Sequence, residues 1–249
     1  MRFAGVEVAR IGMGTNRLTN TPANVAFVKA AIASGLQLID TAHLYTGGQS
    51  ETTIGAALSP MPKDVVVATK GGYNDGTPEA IGAEIEESLR RLRAKSIALY
   101  YLHRVDANVP IEASLAALKE YVDRGVIRHV GVSQVTVDQI ERARKVLPIA
   151  AVQQWYSLSE RRYGAEVGYC TREGIPFVPF YPLHGAEGAA LEEIARRKGA
   201  TPHQVALAWL LKRSPVMLPI PGTLSLPHLE ENLAAQQVEL TDREFEALS

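Results

Sequence analysis

The chain has 249 residues, with 26 lysines and arginines against 27 aspartates and glutamates and a formal net charge of −1. That balance carries no electrostatic footprint for nucleic acid, and no apolar run approaches the ~20 residues of a membrane helix. The length suits one (β/α)₈ barrel and also allows two small domains.

A chain this long buries roughly three-quarters of its unfolded surface, so its core needs no cross-links. Its single cysteine, Cys170, excludes an internal disulfide, fits a reducing compartment and reads as a packing residue. The opening Met1-Arg-Phe-Ala has no signal-peptide core. A cytoplasmic location is expected.

Apolar runs and amphipathic stretches alternate along the chain. Val8 to Gly14 reads as a first strand. Pro22 to Ser34 reads as a helix capped by Thr21 and stopped at Gly35. Leu36 to Asp40 is the second strand, Glu51 to Leu58 a short helix, Val65 to Lys70 the third strand and Pro78 to Arg91 a helix. Ile97 to His103 is the fourth strand, followed by a helix from Ile111 to Arg124. Ile127 to Ser133 and Ile149 to Gln153 are strands, separated by a helix over Val135 to Leu147. A helix from Tyr163 to Glu173 stops at Gly174. Ile175 to Tyr181 is a seventh strand. Helices over Ala189 to Arg197 and Pro202 to Lys212 precede an eighth strand, Val216 to Ile220, and a last large helix, Leu226 to Leu233.

The strand runs are apolar throughout, as in parallel strands covered by helices on the outside. Eight strand–helix units without a linker or a break in composition predict one domain, a (β/α)₈ TIM barrel of the α/β class.

In such a barrel, polar residues where strands run into the following loops are the functional candidates. Here they are Thr15, Asp40 with Tyr45, Lys70, His103, Ser133, Gln134, Gln153 and Tyr181. Singly, Asp40 reads as a turn cap, Lys70 as a rim residue with its amine in water, and His103 as a satisfied buried imidazole. Together they should converge on one axis. A lysine held by Asp40 beside the Tyr45 phenol favours the phenolate and lowers a pKa that starts near 10. Such a phenol can give a proton to a carbonyl oxygen, while His103 polarises the same carbonyl. No His/Cys/carboxylate cluster has metal-ligand spacing, so no metal is expected.

The chemistry then needs a hydride source. Gly12-Met-Gly14-Thr15 does not continue into a dinucleotide fingerprint, which needs a third glycine opening a helix. Pro219-Ile-Pro-Gly-Thr223, leading into the helix at Leu226, is the better phosphate site. Tyr181 offers a face for a nicotinamide ring, and Ser133, Gln134 and Gln153 offer hydrogen bonds to its carboxamide.

At these residues the sequence resembles the aldo-keto reductase superfamily. The matching pieces include Gly12-Met-Gly-Thr15, Leu38-Ile-Asp-Thr-Ala-His-Leu-Tyr45, Ser50-Glu51, Ala68-Thr-Lys70, Tyr101-Leu-His103, Gly131-Val-Ser-Gln134, Tyr181-Pro-Leu183, Ile220-Pro-Gly-Thr223 and Leu229-Glu-Glu-Asn232. The resemblance implies reversible NADPH-dependent reduction of carbonyls to alcohols. It places a catalytic tetrad on Asp40, Tyr45, Lys70 and His103, with Tyr45 as general acid. It maps cofactor contacts onto Gly14, Thr15, Asp40, Ser133, Gln134, Gln153, Tyr181, Pro182, Leu183, Ile220, Pro221, Gly222, Thr223, His228, Glu231 and Asn232.

Three departures modify that expectation. Gln134 stands where many relatives carry Asn. Gly222 and His228 stand where many have the Lys and Arg that clamp the adenosine phosphate. NADPH is still favoured, held by a helix N-terminus and Thr223, with NADH as the second candidate. The segment His184 to Ala190 is short and the chain ends near Ser249, so an open pocket for small carbonyl substrates is expected. Tyr73, Arg104 and Trp155 are its candidate walls. A monomer or weak oligomer is expected, with no nucleic-acid or membrane partner. A non-catalytic nicotinamide-nucleotide sensor or scaffold on the same fold is the alternative reading.

Overall fold

Most strands of the barrel are short runs rich in branched or aromatic residues, and successive side chains along them point to opposite faces. The computed structural model describes all residues from Met1 to Ser249. It opens with a two-stranded antiparallel hairpin, β1 (Arg2–Phe3) and β2 (Val6–Glu7), turning through Ala4 and Gly5 at positive φ. The barrel strands are β3 (Met13–Gly14), β4 (Leu38–Asp40), β5 (Val66–Gly71), β6 (Ile97–Leu102), β7 (Ile127–Ser133), β8 (Ile149–Trp155) and β9 (Phe177–Phe180). All seven are parallel, each beside its neighbour in sequence. The helices are α1 (Pro22–Ala33), α2 (Gln49–Leu58), α3 (Pro78–Leu92), α4 (Ile111–Asp123), α5 (Val137–Val146), α6 (Gly164–Glu173), α7 (Ala189–Lys198), α8 (Pro202–Arg213), α9 (Leu226–Ala234) and α10 (Asp242–Ala247).

The expected eighth strand is in place but forms no regular ladder. On one side, Leu218 N donates to Phe177 O (2.9 Å) and Ile220 N to Pro179 O (3.3 Å). On the other, Pro219 O and Pro221 O accept from Gly12 N (2.9 Å) and Gly14 N (3.2 Å). Pro219 and Pro221 have no N–H to return to β3, so the cylinder closes on acceptors alone at that seam. The first strand is likewise shorter than the sequence predicts: Val8 turns back to bond Met1, and pairing with β4 begins only at Met13. The hairpin and α10 were not expected. Phe3 from the hairpin is buried and packs with the barrel interior, plugging its lower end.

The core divides by strand parity. Leu38, Val66, Ala68, Leu99, Tyr101, Ala151, Val178 and Leu218 form the interior cluster with Phe3. The alternate residues Ile39 and Val67 pack outward against α1 and α2, and Tyr100, Leu102, Val132 and Val152 pack in the larger shell under the other helices. Two residues further along each strand, the interior parity reaches Asp40, Lys70, His103, Ser133 and Gln153. These form the top layer of the inside of the barrel.

Interior volume is tightly filled beneath that layer. A Cβ on Gly131 would overlap the Tyr101 ring and approach Ala151 O to 3.0 Å. We expect Gly131→Ala to cost about 1–3 kcal/mol through overpacking. At roughly 2–4 °C per kcal/mol for a chain of this size, calorimetry should show a fall of at least 2 °C; an unchanged melting temperature would disprove this account of the interior.

Candidate active site

At the C-terminal ends of β4 and β5, Lys70 Nζ reaches three partners. It pairs with Asp40 Oδ1, donates to Thr41 O at 2.7 Å and lies 3.3 Å from the Tyr45 hydroxyl. Lys70 is fully buried and Asp40 nearly so. The second Asp40 oxygen accepts from Gln153 Nε2 at 2.8 Å, so the carboxylate has a defined partner on each side. Beneath it, Thr15 Oγ1 donates to Asp40 O (2.8 Å) and accepts from Ser50 Oγ (2.9 Å), which contacts Thr41 Oγ1 at 2.7 Å.

Tyr45 follows β4 on a tight turn, its ring edge-on to His103 with centroids 5.9 Å apart. Tyr73 also packs edge-on to His103, with ring centroids 4.9 Å apart. Asp40, Tyr45, Lys70 and His103 therefore occupy one cluster at one mouth of the barrel.

The electrostatics differ from the sequence expectation in one respect. Burial raises the Tyr45 pKa above its ordinary value; the pull of Lys70 opposes this without overcoming it, and Asp40 and Tyr181 add to the rise. The phenol is thus held protonated rather than primed as phenolate. Burial works against the Lys70 ammonium, but Asp40 and Tyr45 outweigh it and Lys70 titrates above its usual range. Burial also raises the Asp40 carboxyl, and Lys70 and Gln153 offset only part of that rise. His103 is pushed down to about 2, by burial first and then by Lys70 and Arg104.

The cluster opens into a cleft of about 590 Å³. Of the sequence candidates, Gly14, Thr15, Asp40, Ser133, Gln134, Gln153, Tyr181, Pro182, Ile220, Gly222, Tyr73 and Trp155 line it. Arg104 does not; its Nε donates to Tyr73 O (2.5 Å) and its guanidinium stacks on the Tyr73 ring at 4.3 Å, bracing that wall from behind. Leu183, Pro221, Thr223, His228, Glu231 and Asn232 do not line it. Glu231 accepts from Thr201 Oγ1 at 2.5 Å and from Gln204 through its backbone, tying α9 to α8. Thr223 accepts from Ser225 N (3.0 Å), and Ser225 caps α9 through His228 N. Tyr156 is buried between Phe177 and Trp209, so it is core.

Sequence reasoning missed Asn16, Arg17, Leu44, Thr46, Arg162, Tyr163 and Phe180 as lining residues. Asn16 and Arg17 directly follow Thr15, and that adjacency was the signal available for them. Arg162 is neutralised by Glu160.

A nicotinamide fits this cleft. Ser133 Oγ is buried without a partner, as an acceptor or donor awaiting a carboxamide would be. Tyr181, edge-on to Trp155, is 55% exposed and lines the cleft. Gly14 and Gly222 run side by side as a parallel bridge, and both line the cleft.

The model of the aldo/keto reductase family matches residues 10–189 and 186–249 of the chain. The chain belongs to that family. It is 36% identical to an uncharacterised oxidoreductase of Schizosaccharomyces pombe, over 100% of this chain and 88% of that protein. It is 35% identical to pyridoxine 4-dehydrogenase of Escherichia coli, over 90% and 85% of the two. The crystal structure of an aldo/keto reductase from Klebsiella pneumoniae in complex with NADP and acetate superposes with a TM-score of 0.90 at 28% identity, covering 100% of this chain and 93% of that one. The protein is accordingly an oxidoreductase that reduces carbonyl groups with hydride from NAD(P)H, on the barrel that this family shares.

The depressed His103 pKa makes a prediction for this aldo/keto reductase. Between about pH 2 and 6.5 the unfolded histidine binds a proton that the folded one refuses, so stability is lost as pH falls below 6.5. The loss attributable to this residue is about 1.4 kcal/mol per pH unit. Urea unfolding at pH 7, 6 and 5 should show His103→Gln losing less stability on acidification than the parent by about that slope. Equal slopes would mean that His103 charges in the folded protein.

Proposed function

We propose that the protein reduces small aldehydes and ketones with NADPH, and that Tyr45 delivers the proton. The observation that carries this reading is the Lys70 ammonium, buried between the Asp40 carboxylate and the Tyr45 hydroxyl beneath an open cleft.

The bound nicotinamide would supply hydride to the carbonyl carbon. As charge develops on the carbonyl oxygen, the Tyr45 hydroxyl gives up its proton. Lys70 then donates to the phenolate left behind, and it is kept charged and in place by Asp40 and the Thr41 carbonyl. His103 stays neutral across the working pH range and serves as a hydrogen-bond donor to the carbonyl oxygen, without competing as an acid. Gln153 fixes the Asp40 carboxylate. Ser133 and Tyr181 suit the carboxamide and the ring face of a nicotinamide.

Preference for NADPH is supported by Arg17, an exposed cation at the cleft rim beside the Gly14–Gly222 edge, and by the N-terminus of α9. The open cleft, walled by Tyr73, Leu44 and Trp155, suits small substrates of varied shape. We further propose a cytoplasmic enzyme that works as a monomer or weak oligomer. Cys170 fits an inert packing role there, being fully buried with its thiol pushed up to about 12 by burial.

Tyr45→Phe removes only the transferable proton and should lower turnover by about 10²–10⁴-fold, with NADPH affinity by fluorescence titration nearly unchanged. Retention of most of the rate would reassign the proton donor. A charge-assisted hydrogen bond is worth about 1.5–3 kcal/mol, so the same titration should find NADPH bound about 10- to 100-fold more tightly than NADH; equal affinities would remove the 2′-phosphate site.

A further inference from the structure

Tyr45 is carried on a turn that the chain does not adopt freely. Thr46, Gly47 and Gly48 follow it with φ of 50°, 64° and 85°. A β-branched residue at positive φ is a genuine outlier and needs surroundings that over-determine it. On one side Thr46 Oγ1 donates to Leu18 O at 2.8 Å.

On the other side stands Arg91, from the last turn of α3 and largely buried. Its Nη1 donates to His43 O at 2.8 Å. Its guanidinium covers Gly48 so closely that a Cβ there would overlap Cζ, Nη1 and Nε. Arg91 thus grips the backbone two residues before Tyr45 and three residues after it.

The grip is anchored to the neighbouring strand. Glu51 is fully buried, 3.4 Å from Arg91 Nη1 through one oxygen, and its other oxygen accepts from Thr69 Oγ1 at 2.6 Å. Thr69 immediately precedes Lys70. Arg91 Nη2 also pairs with Glu87 at 2.8 Å, and Glu87 in turn contacts His43 Nε2 at 2.8 Å. No step of the chemistry uses Glu51 or Arg91, yet both are spent on the turn that bears the phenol.

We propose that Arg91 is a positioning residue for Tyr45. Tied through Glu51 and Thr69 to the strand that bears Lys70, it clamps both flanks of the Tyr45 turn and sets the approach of the hydroxyl to the ammonium. The inference rests on Tyr45 being the proton donor.

The test compares Arg91→Met, Arg91→Lys, Glu51→Gln, Tyr45→Phe and the Tyr45→Phe/Arg91→Lys double variant. A displacement of a reacting group by about 1 Å can cost about 10²-fold. Arg91→Met should therefore lower kcat by about 10- to 100-fold while the affinity for NADPH stays within a few-fold. Arg91→Lys keeps the charge but not the fork, and should recover part of the loss. Tyr45 is faced by Lys70, Asp40, His103 and Tyr181. Of these only Lys70 favours the phenolate, so loosening its contact should move the alkaline limb of kcat to higher pH. In the Tyr45→Phe background Arg91→Lys should have no further effect on turnover.

A lower melting temperature with unchanged kcat and pH profile, or additive losses in the double variant, would overturn the proposal and leave Arg91 as a helix brace. Should Arg91→Met fail to fold, Arg91→Lys and Glu51→Gln carry the same readouts. If Tyr45→Phe itself keeps its rate, the proton-donor reading fails; if only the Arg91 variants keep theirs, that reading stands and the clamp alone is lost.

Discussion

The mouth of the barrel is organised by a buried ion pair, Lys70 with Asp40. Taking two such charges out of water costs several kcal/mol per ion, and their mutual attraction offsets that only when the remaining donors and acceptors are satisfied. Here they are: Lys70 reaches Thr41 O and Tyr45, and Asp40 accepts from Gln153. These groups come from three separate parts of the chain, the end of β4 with its following turn (Asp40, Thr41, Tyr45), β5 (Lys70) and β8 (Gln153), so the pair is satisfied only in the closed barrel. The site and the fold therefore specify one another. The hydroxyl chain of Thr15, Ser50 and Thr41 below the pair adds to the same end, since it fixes the backbone from which Asp40 projects.

Backbone strain collects around this layer. Of the five non-glycine residues at positive φ, Thr46, Gln134 and Tyr181 line the cleft. Gln134 and Tyr181 directly follow β7 and β9, and Thr46 follows the turn after β4. Each takes the left-handed backbone conformation at the barrel mouth, and each is held by the structure around it. Gln134 N donates to Gln153 O at 3.0 Å and its amide reaches back to His103 O at 3.3 Å. Tyr181 is boxed by Phe180 and Trp155. Strain of about 1–3 kcal/mol at such positions is retained where it fixes a side chain for use.

Much of this was legible in the sequence because the barrel obeys a simple parity. Once Leu38, Val66, Leu99 and Ala151 are read as interior residues, stepping by two reaches Asp40, Lys70, His103 and Gln153 without further information. The parts that escaped were those where local pattern is weak or tertiary contacts decide. Two-residue strands such as Arg2–Phe3 and Val6–Glu7 are too short for alternation to show. The six residues of α10 are too few for a helical period. Pro219 and Pro221 leave the path of the eighth strand intact while deleting its donors toward β3. Arg104 sits at a strand end like the site residues, but its side chain turns to the Tyr73 carbonyl.

The direction of the Tyr45 shift was missed for a different reason. A sequence shows which charge stands beside a phenol but not how much water both have lost. In the folded barrel, lost hydration outweighs the neighbouring ammonium for the phenol, and it acts together with the ammonium on the imidazole. The same burial therefore separates two groups that could otherwise both act as acids. It leaves Tyr45 protonated and within 3.3 Å of a cation that can receive its charge. It leaves His103 neutral, with no acidic proton to offer near neutral pH. Division of labour between donor and polariser is thus a consequence of where the barrel excludes water, and the ion pair beneath them decides which of the two gives up a proton.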